Sequence, residues 1–315
     1  MSEKKIAGGT AQGTLPRSAK RSAWNRGEVV TAYLFLLPLL VGIALFFIVP
    51  IAQTIGYSFT KWKGVGTPEF IGLRNYVKLF TRDSKFSMEL KNSLVFVLGS
   101  IPATLAVSVI IAAMMNGKVK GQSFYRTVYF LPNVTMVAVV VMIWRWLLST
   151  QYGVVDTVLD KLFGIRPAWL SDTSLTMLSM CIISIWSGAG YCIVILLAGL
   201  QNISDTYYEA ARIDGANGVQ QFFKITIPLL TPTLFFLLVT RVIAGFNQFD
   251  LVYMLADGPG PIQNSLRTLV FGIYQSGFQE FAMGYACAKS MVMMGMIAVV
   301  SLIQLKLTRS REVQM

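Results

Sequence analysis

Residues 94–115 read LVFVLGSIPATLAVSVIIAAMM, twenty-two residues without one Asp, Glu, Lys or Arg. A bilayer core of about 30 Å takes about 20 helical residues, so this stretch is long enough to cross a membrane as a helix. It is apolar all round rather than along one stripe, which separates it from a helix flanking a soluble core. Working outward, the pattern recurs. The gap from Val29 to Thr60 is free of charge, with its apolar heart at Tyr33 to Ala52. Further spans run from Thr127 to Trp144, within Thr173 to Ser204, from Thr226 to Phe249 and from Met283 to Leu305. Only Arg241 and Lys289 interrupt the last two. The reading is an all-α polytopic membrane protein with six transmembrane helices.

Composition agrees. Of 315 residues, 54% are apolar and 13% charged, against about 25% charged in an ordinary soluble domain. The chain has no His, which removes Ser-His-Asp triads, HExxH zinc sites and His-ligated haem. Cys181, Cys192 and Cys287 lie in apolar stretches and form no CxxC pair, so no disulfide framework is suggested. The first span is too long for a removed signal peptide and lacks a small-residue cleavage site.

Lys and Arg set the orientation. The N-terminal tail, the loops after spans two and four and the C-terminal tail carry fourteen; the other side carries ten, seven of them between Lys61 and Lys91, with Arg145 at the edge of span three counted on neither side. With the tail before the first span weighing most, both termini are expected in the cytoplasm. The bases flank spans instead of forming one stripe, so no nucleic-acid partner is expected. Residues 1–27 are polar, basic and expected to be disordered, and 28–315 form the transmembrane domain. A short amphipathic helix is expected between Ser58 and Lys91, and another within Gln151–Asp172, stopped by Gly164.

The loop between spans four and five, at 201–228, is more than a connector. Ser204 or Asp205 can cap a helix start. Helix formers follow, Gly215 offers a left-handed stop, and a second helical run passes Phe222, Phe223 and Ile225 to Pro228. Small Ala210 and Ala211 admit a partner backbone, while Tyr207, Tyr208, Glu209 and Arg212 can anchor it. These residues fit a partner-docking knob or an ordinary interfacial helix.

Glu209-Ala210-Ala211-x-x-Asp214-Gly215-Ala216, followed by Phe222, Ile225, Pro228 and Pro232, resembles the cytoplasmic EAA signature of ABC-importer permeases. Gly72-Leu73-x-Asn75-Tyr76, the run from Gly121 to Pro132, Phe249-Asp250-Leu251-Val252-Tyr253 and Gly284-Tyr285-Ala286 are similar to other parts of the carbohydrate, maltose-type branch. The resemblance extends from about Tyr33 to Leu307.

It implies a type I ABC importer permease fold in a bacterial plasma membrane. The implied partners are a second homologous permease, two ATPase subunits, an extracytoplasmic sugar-binding protein and membrane lipid. This chain carries no G-x-x-x-x-G-K-[ST] loop, so ATP and Mg²⁺ would be used by the ATPase subunits, with no cofactor on this chain. Tyr208, Glu209, Ala210, Ala211, Asp214, Gly215 and Ala216 would couple to the ATPase, with Glu209 as ion-pair partner of a basic residue there. The sugar path would use Ser184, Ser187, Gly188 and Tyr191 of span four with Arg241, Gly245 and Gln248 of span five. The Ser and Gly positions equally suit helix packing.

Arg241 lies fifteen residues after Thr226, which places it in the outer half of a straight span. It either contacts an anionic or hydroxyl-rich substrate, or snorkels or pairs with an acid such as Asp250. Lys289 invites the same choice, with snorkelling favoured. Met291, Met293, Met294 and Met296 suggest adaptable packing. The run from Ala256 to Pro261 departs from the family's Thr-x-Gly-Gly-Pro pattern, which puts any binding-protein contact there in doubt. Rival readings are another ABC-importer class (phosphorylated polyol, amino acid or peptide), a secondary carrier or channel, and a membrane enzyme. The carrier lacks an intramembrane acid or His chain in the apolar hearts, and the enzyme lacks a catalytic cluster.

Overall fold

The structure, a computed structural model, describes residues 26–117, 120–256 and 260–312. The basic tail before Arg26, Lys118, and Asp257 to Pro259 of the loop that departs from the family lie outside the described residues.

The chain divides into two compact units, one ending at Ala52 and one beginning at Gln53. The first holds α1 (Arg26–Ile43), a π-helical turn (Ala44–Ile48) and the first residues of α2 (Val49–Ser58), whose remainder belongs to the second. Val29–Ser58 is long and apolar enough to cross a membrane, and Phe35 and Phe46 are exposed.

In the second unit, a two-residue antiparallel pairing of β1 (Thr60–Lys61) with β2 (Glu69–Phe70) precedes α3 (Arg74–Thr81). The expected amphipathic helix is therefore present, but it is tied down. Asn75 donates to the carbonyls of Ser58 and Thr60 at 2.8 and 2.9 Å, and Leu79 is buried. Then α4 (Ser84–Met115) begins ten residues before its apolar heart, because the Asp83 carboxylate accepts from the N–H groups of Lys85 and Phe86. A capped N-terminus starts a helix irrespective of the polarity of its first turns.

The third span is not straight. Helices α5 (Gln122–Val134) and α6 (Val137–Leu147) meet at 101°. Pro132 withholds an N–H in the last turn of α5, and Thr135 turns its hydroxyl back to the Leu131 carbonyl. Next come α7 (Val154–Phe163), stopped by Gly164 at φ +68°, and α8 (Thr173–Gln201), capped by Asp172. The candidate coupling segment is α9 (Asp205–Ile213), α10 (Gly218–Gln221), a π-turn (Phe222–Thr226) and α11 (Ile227–Leu229). It leads at a 64° bend into α12 (Thr231–Phe246). Pro228 and Pro232 flank that bend. Three short helices, α13 (Asp250–Leu255), α14 (Pro261–Leu266) and α15 (Leu269–Tyr274), and a π-turn (Gln275–Gln279) precede α16 (Met283–Glu312). Among the described residues four helices are long and apolar enough to cross a membrane, and counting each bent pair as one span gives six.

Helices α4 and α8 run side by side in the same direction. Gly99 sits against Cys181, and Ser108 donates to the Ala189 carbonyl at 3.3 Å. Gly190 lets the Tyr129 carbonyl of α5 approach α8 where a Cβ would collide, the close contact that small residues allow. One apolar cluster gathers Phe96, Ile101, Ile183, Val252, Leu266 and Phe271; another gathers Ala112, Ile193, Leu196 and Leu237 toward the α9 end. Helices α13 to α15, which lie between the fifth and sixth expected spans, thus supply core residues at the opposite end.

Candidate coupling helix and translocation site

The candidate coupling helix is built by four local devices. Ser204 caps α9, its hydroxyl accepting from the Thr206 N–H at 3.4 Å. Gly215 turns the chain at φ +79°, a conformation that costs an L-residue roughly 1–2 kcal/mol. Asn217 and Gln220 then form a capping box, each side chain accepting from the other's backbone at 2.9 Å. Finally, the Tyr208 hydroxyl pairs with Thr226 Oγ1 at 3.0 Å, and Gln221 donates to the Ala216 carbonyl at 2.9 Å. Helix α9 is thereby tied to the helix that follows it. Glu209, Ala210, Asp214 and Gly215 are exposed, while Tyr208, Ala211 and Ala216 are half-buried. Beside them Ile213 is 87% exposed and Tyr207 55%, so the tip of this segment has an apolar surface without a partner among the described residues.

At the centre of the unit the structure brings together Ser184, Arg241, Gly245 and Gln248 around a cavity of about 40 Å³, with Ser100 and Thr104 of α4. Ser100 and Thr104 were not singled out in the sequence, since each is one hydroxyl within an apolar helix. Gly188 lies under the Arg241 guanidinium, which occupies the space a Cβ would take. Ser187 and Tyr191 do not line this cavity. The Ser187 hydroxyl turns back to the Ser184 carbonyl at 3.3 Å, and Tyr191 packs on the Ile193–Leu196 cluster.

Two expectations for the intramembrane cations are corrected. Arg241 is not in the outer half of a straight span. The 64° bend shortens the climb from Thr226, and its guanidinium reaches Gly188, midway along α8. Nor does it pair with Asp250; no ion pair of Arg241 is found among the described residues. Lys289 does not snorkel. It is 1% exposed, with its Nζ 2.9 Å from Glu89 Oε2 and 3.7 Å from Asp83 Oδ2.

That second site was not visible in the sequence. Glu89, wholly buried in α4, also accepts from Arg267 Nε at 2.7 Å, and Gly272 of α15 leaves the room its carboxylate fills. The Tyr285 hydroxyl donates to Asp83. Burial pushes the Asp83 carboxyl up, but the Tyr285 hydrogen bond, the Lys289 charge and the N–H groups of Phe86 and Lys85 outweigh it and leave the pKa lowered. Two acids and two bases therefore join α4, the α14–α15 connection and α16 at the end opposite α9.

Near that end, Phe249, Tyr253, Tyr274 and Phe278 form a run of adjacent rings, with neighbouring centroids 5.0 to 5.6 Å apart. A cavity of about 570 Å³ is lined by Asn247, Val270, Ile273, Met293, Met294 and Ile297, among others.

Residues 104–313 match the family described as binding-protein-dependent transport system inner membrane component. The probable ABC transporter permease protein YesP of Bacillus subtilis is 35% identical, over 91% of this chain and 93% of that protein. The arabinooligosaccharides transport system permease protein AraP of the same organism is 33% identical, over 94% and 95%. Among solved structures, a chain of the bacterial alginate ABC transporter, in complex with an alginate pentasaccharide-bound periplasmic protein, superposes with a TM-score of 0.79 at 22% identity, over 90% of this chain and 96% of that one. The fold is thus that of an ABC importer permease. The chain belongs to the binding-protein-dependent transport system inner membrane component family and is a multi-pass membrane permease subunit.

Proposed function

We propose that this permease carries a sugar or oligosaccharide across a bacterial plasma membrane, driven by ATP hydrolysed on partner subunits. An extracytoplasmic binding protein delivers the cargo, and a second homologous permease supplies the other half of the path. Both termini and α9 face the cytoplasm, where α9 docks on one of two ATPase subunits. The chain itself needs no cofactor. Relatives of the AraP type support the sugar.

The single observation that carries the coupling role is the way α9 is held. It stands exposed at one end of the unit, yet the Tyr208–Thr226 and Gln221–Ala216 bonds tie it to the helices leading to Arg241. A push on α9 from a closing ATPase pair is then transmitted to the helix that lines the central cavity. Glu209, Tyr207 and Ile213 supply a charge and apolar area for docking, and Gly215 sets the angle at which α9 is presented.

The test is uptake of a labelled oligosaccharide by cells carrying the whole system, with the complex assayed by co-purification. Gly215→Pro cannot adopt φ +79°, and Glu209→Lys reverses the docking charge. Both should reduce uptake at least tenfold while the permease still reaches the membrane. Parent-like uptake by both would refute the coupling role.

A further inference from the structure

Among the described residues the fold neutralises its two buried cations and leaves a third, half-buried one bare. Arg267 and Lys289 are 4% and 1% exposed, and both lean on Glu89, with Asp83 alongside. Arg241 is only half-buried, yet it sits level with Gly188, thirteen residues from one end of α8 and fifteen from the other. At about 1.5 Å per residue it is about 20 Å from either end. A charge at that depth is expensive and faces protein or a water-filled path. Among the described residues no acid or hydrogen-bond acceptor pairs with it. Its neighbours at the cavity are neutral hydrogen-bonding groups, Ser100, Thr104, Ser184 and Gln248. In this state the cavity holds about 40 Å³, room for a few waters and too little for a sugar ring.

We infer that the missing counter-charge is carried by the cargo: Arg241 pairs with an oxyanion of an acidic sugar as it crosses the middle of the membrane. The inference rests on the import reading above and narrows it. The guanidinium fork matches a carboxylate or a phosphoryl group bidentately, and neither needs to be deprotonated by the protein. Ser184, Gln248, Ser100 and Thr104 then meet the ring hydroxyls. Gly188 has a role of its own here. Without a Cβ it lets the guanidinium lie flat on α8, aimed along the cavity, whereas any side chain there would push the charge aside. Glycosidic acids such as uronates and phosphorylated sugars share this chemistry, and the experiment separates them.

The complete transporter with its binding protein, reconstituted in proteoliposomes with internal ATP, is offered three labelled sets: uronic-acid disaccharides, sugar phosphates and neutral disaccharides. The parent should take up one acidic set at least tenfold faster than the neutral set. Arg241→Gln should lower uptake of that set roughly 10- to 100-fold, the loss expected for a hydrogen-bonded charge, with Arg241→Lys between them. Binding of the same acidic sugar to the isolated binding protein should be unchanged in affinity, which places the loss in the membrane step. The parent's own selectivity is the arm that survives if Arg241→Gln does not assemble. Preference for neutral sugars overturns the inference and leaves the importer reading standing. So does an Arg241→Gln variant with an unchanged acidic-to-neutral ratio, which would mean that the second permease supplies the acid. Uptake of none of the sets overturns both.

Discussion

Replacing Glu89 by Ala removes the carboxylate on which Arg267 and Lys289 both rest. At 2.7 and 2.9 Å, each pair has a gross attraction of about 6 kcal/mol at an effective dielectric constant of about 20. Most of that is offset by taking three charged groups out of water, at several kcal/mol per ion. The loss on truncation is therefore the cost of abandoned charge, about 3–5 kcal/mol for a buried pair broken on one side. Lys289 keeps Asp83 at 3.7 Å, but among the described residues Arg267 keeps no carboxylate, and its Nη2 is already buried without a partner there. Lys289→Met should cost less, since Glu89 retains Arg267 and Asp83 retains the Tyr285 hydroxyl. The assay is thermal unfolding of the purified complex in detergent. With each kcal/mol worth about 2–4 °C in a domain of comparable size, Glu89→Ala should lower the midpoint by roughly 10 °C and Lys289→Met by less. The double variant should lose less than the sum, because the two residues share one interaction. A Glu89→Ala protein within about 1 kcal/mol of the parent, or strict additivity, would refute this account of the buried network.

Three further outcomes are expected. Tyr208→Phe removes the hydroxyl bond to Thr226, worth roughly 0.5–1.5 kcal/mol; it should reduce uptake severalfold while the assembled complex still hydrolyses ATP, and equal losses of both would argue against α9 transmitting motion through that bond. Gly190→Val drives a side chain into the Tyr129 carbonyl and should destabilise the α5–α8 packing by roughly 1–3 kcal/mol, read by melting; an unchanged midpoint contradicts the contact. The Asp83 carboxyl titrates below its ordinary value of 3.8, so its contribution is fully present above that pH and is lost as pH falls through the lowered value. Asp83→Asn should flatten the acid limb of a melting-versus-pH curve, and an unaltered limb would show that the carboxylate is not held as described.

The spans, helix α9 and its turn were legible because their signals are local. A Ser cap and a Gly at a helix stop act within a turn or two, and a run of twenty apolar residues shows in the sequence without any distant partner, whereas the Asn217–Gln220 capping box was seen only in the structure. The breaks in spans three and five were only half legible. Pro132, Pro228 and Pro232 marked the places, but the angles of 101° and 64° are set by packing across the bundle. Helices α13 to α15 escaped notice because six-residue elements are too short to show a period. The Glu89 network was invisible for another reason. Its members are spread over some 200 residues of sequence; Asp83, Glu89 and Arg267 lie in stretches that read as loop, and Lys289 alone interrupts a span. Only the fold puts them in one place, and the same folding reveals that Arg241 was left out of any such arrangement. Of the central site, Ser184, Gly188, Arg241, Gly245 and Gln248 converge, while Ser187 and Tyr191, which the family resemblance also implied, meet other neighbours.

The central claim is that this permease is moved by ATP hydrolysed elsewhere and works on a cargo handed to it. The direct measurement is uptake into proteoliposomes holding this chain, its permease partner and the ATPase pair, with the binding protein outside. Internal ATP and ion gradients are varied independently. The account predicts uptake that requires both ATP and the binding protein and is unchanged when ionophores collapse every gradient. Uptake that persists without ATP and disappears with the gradient would contradict it.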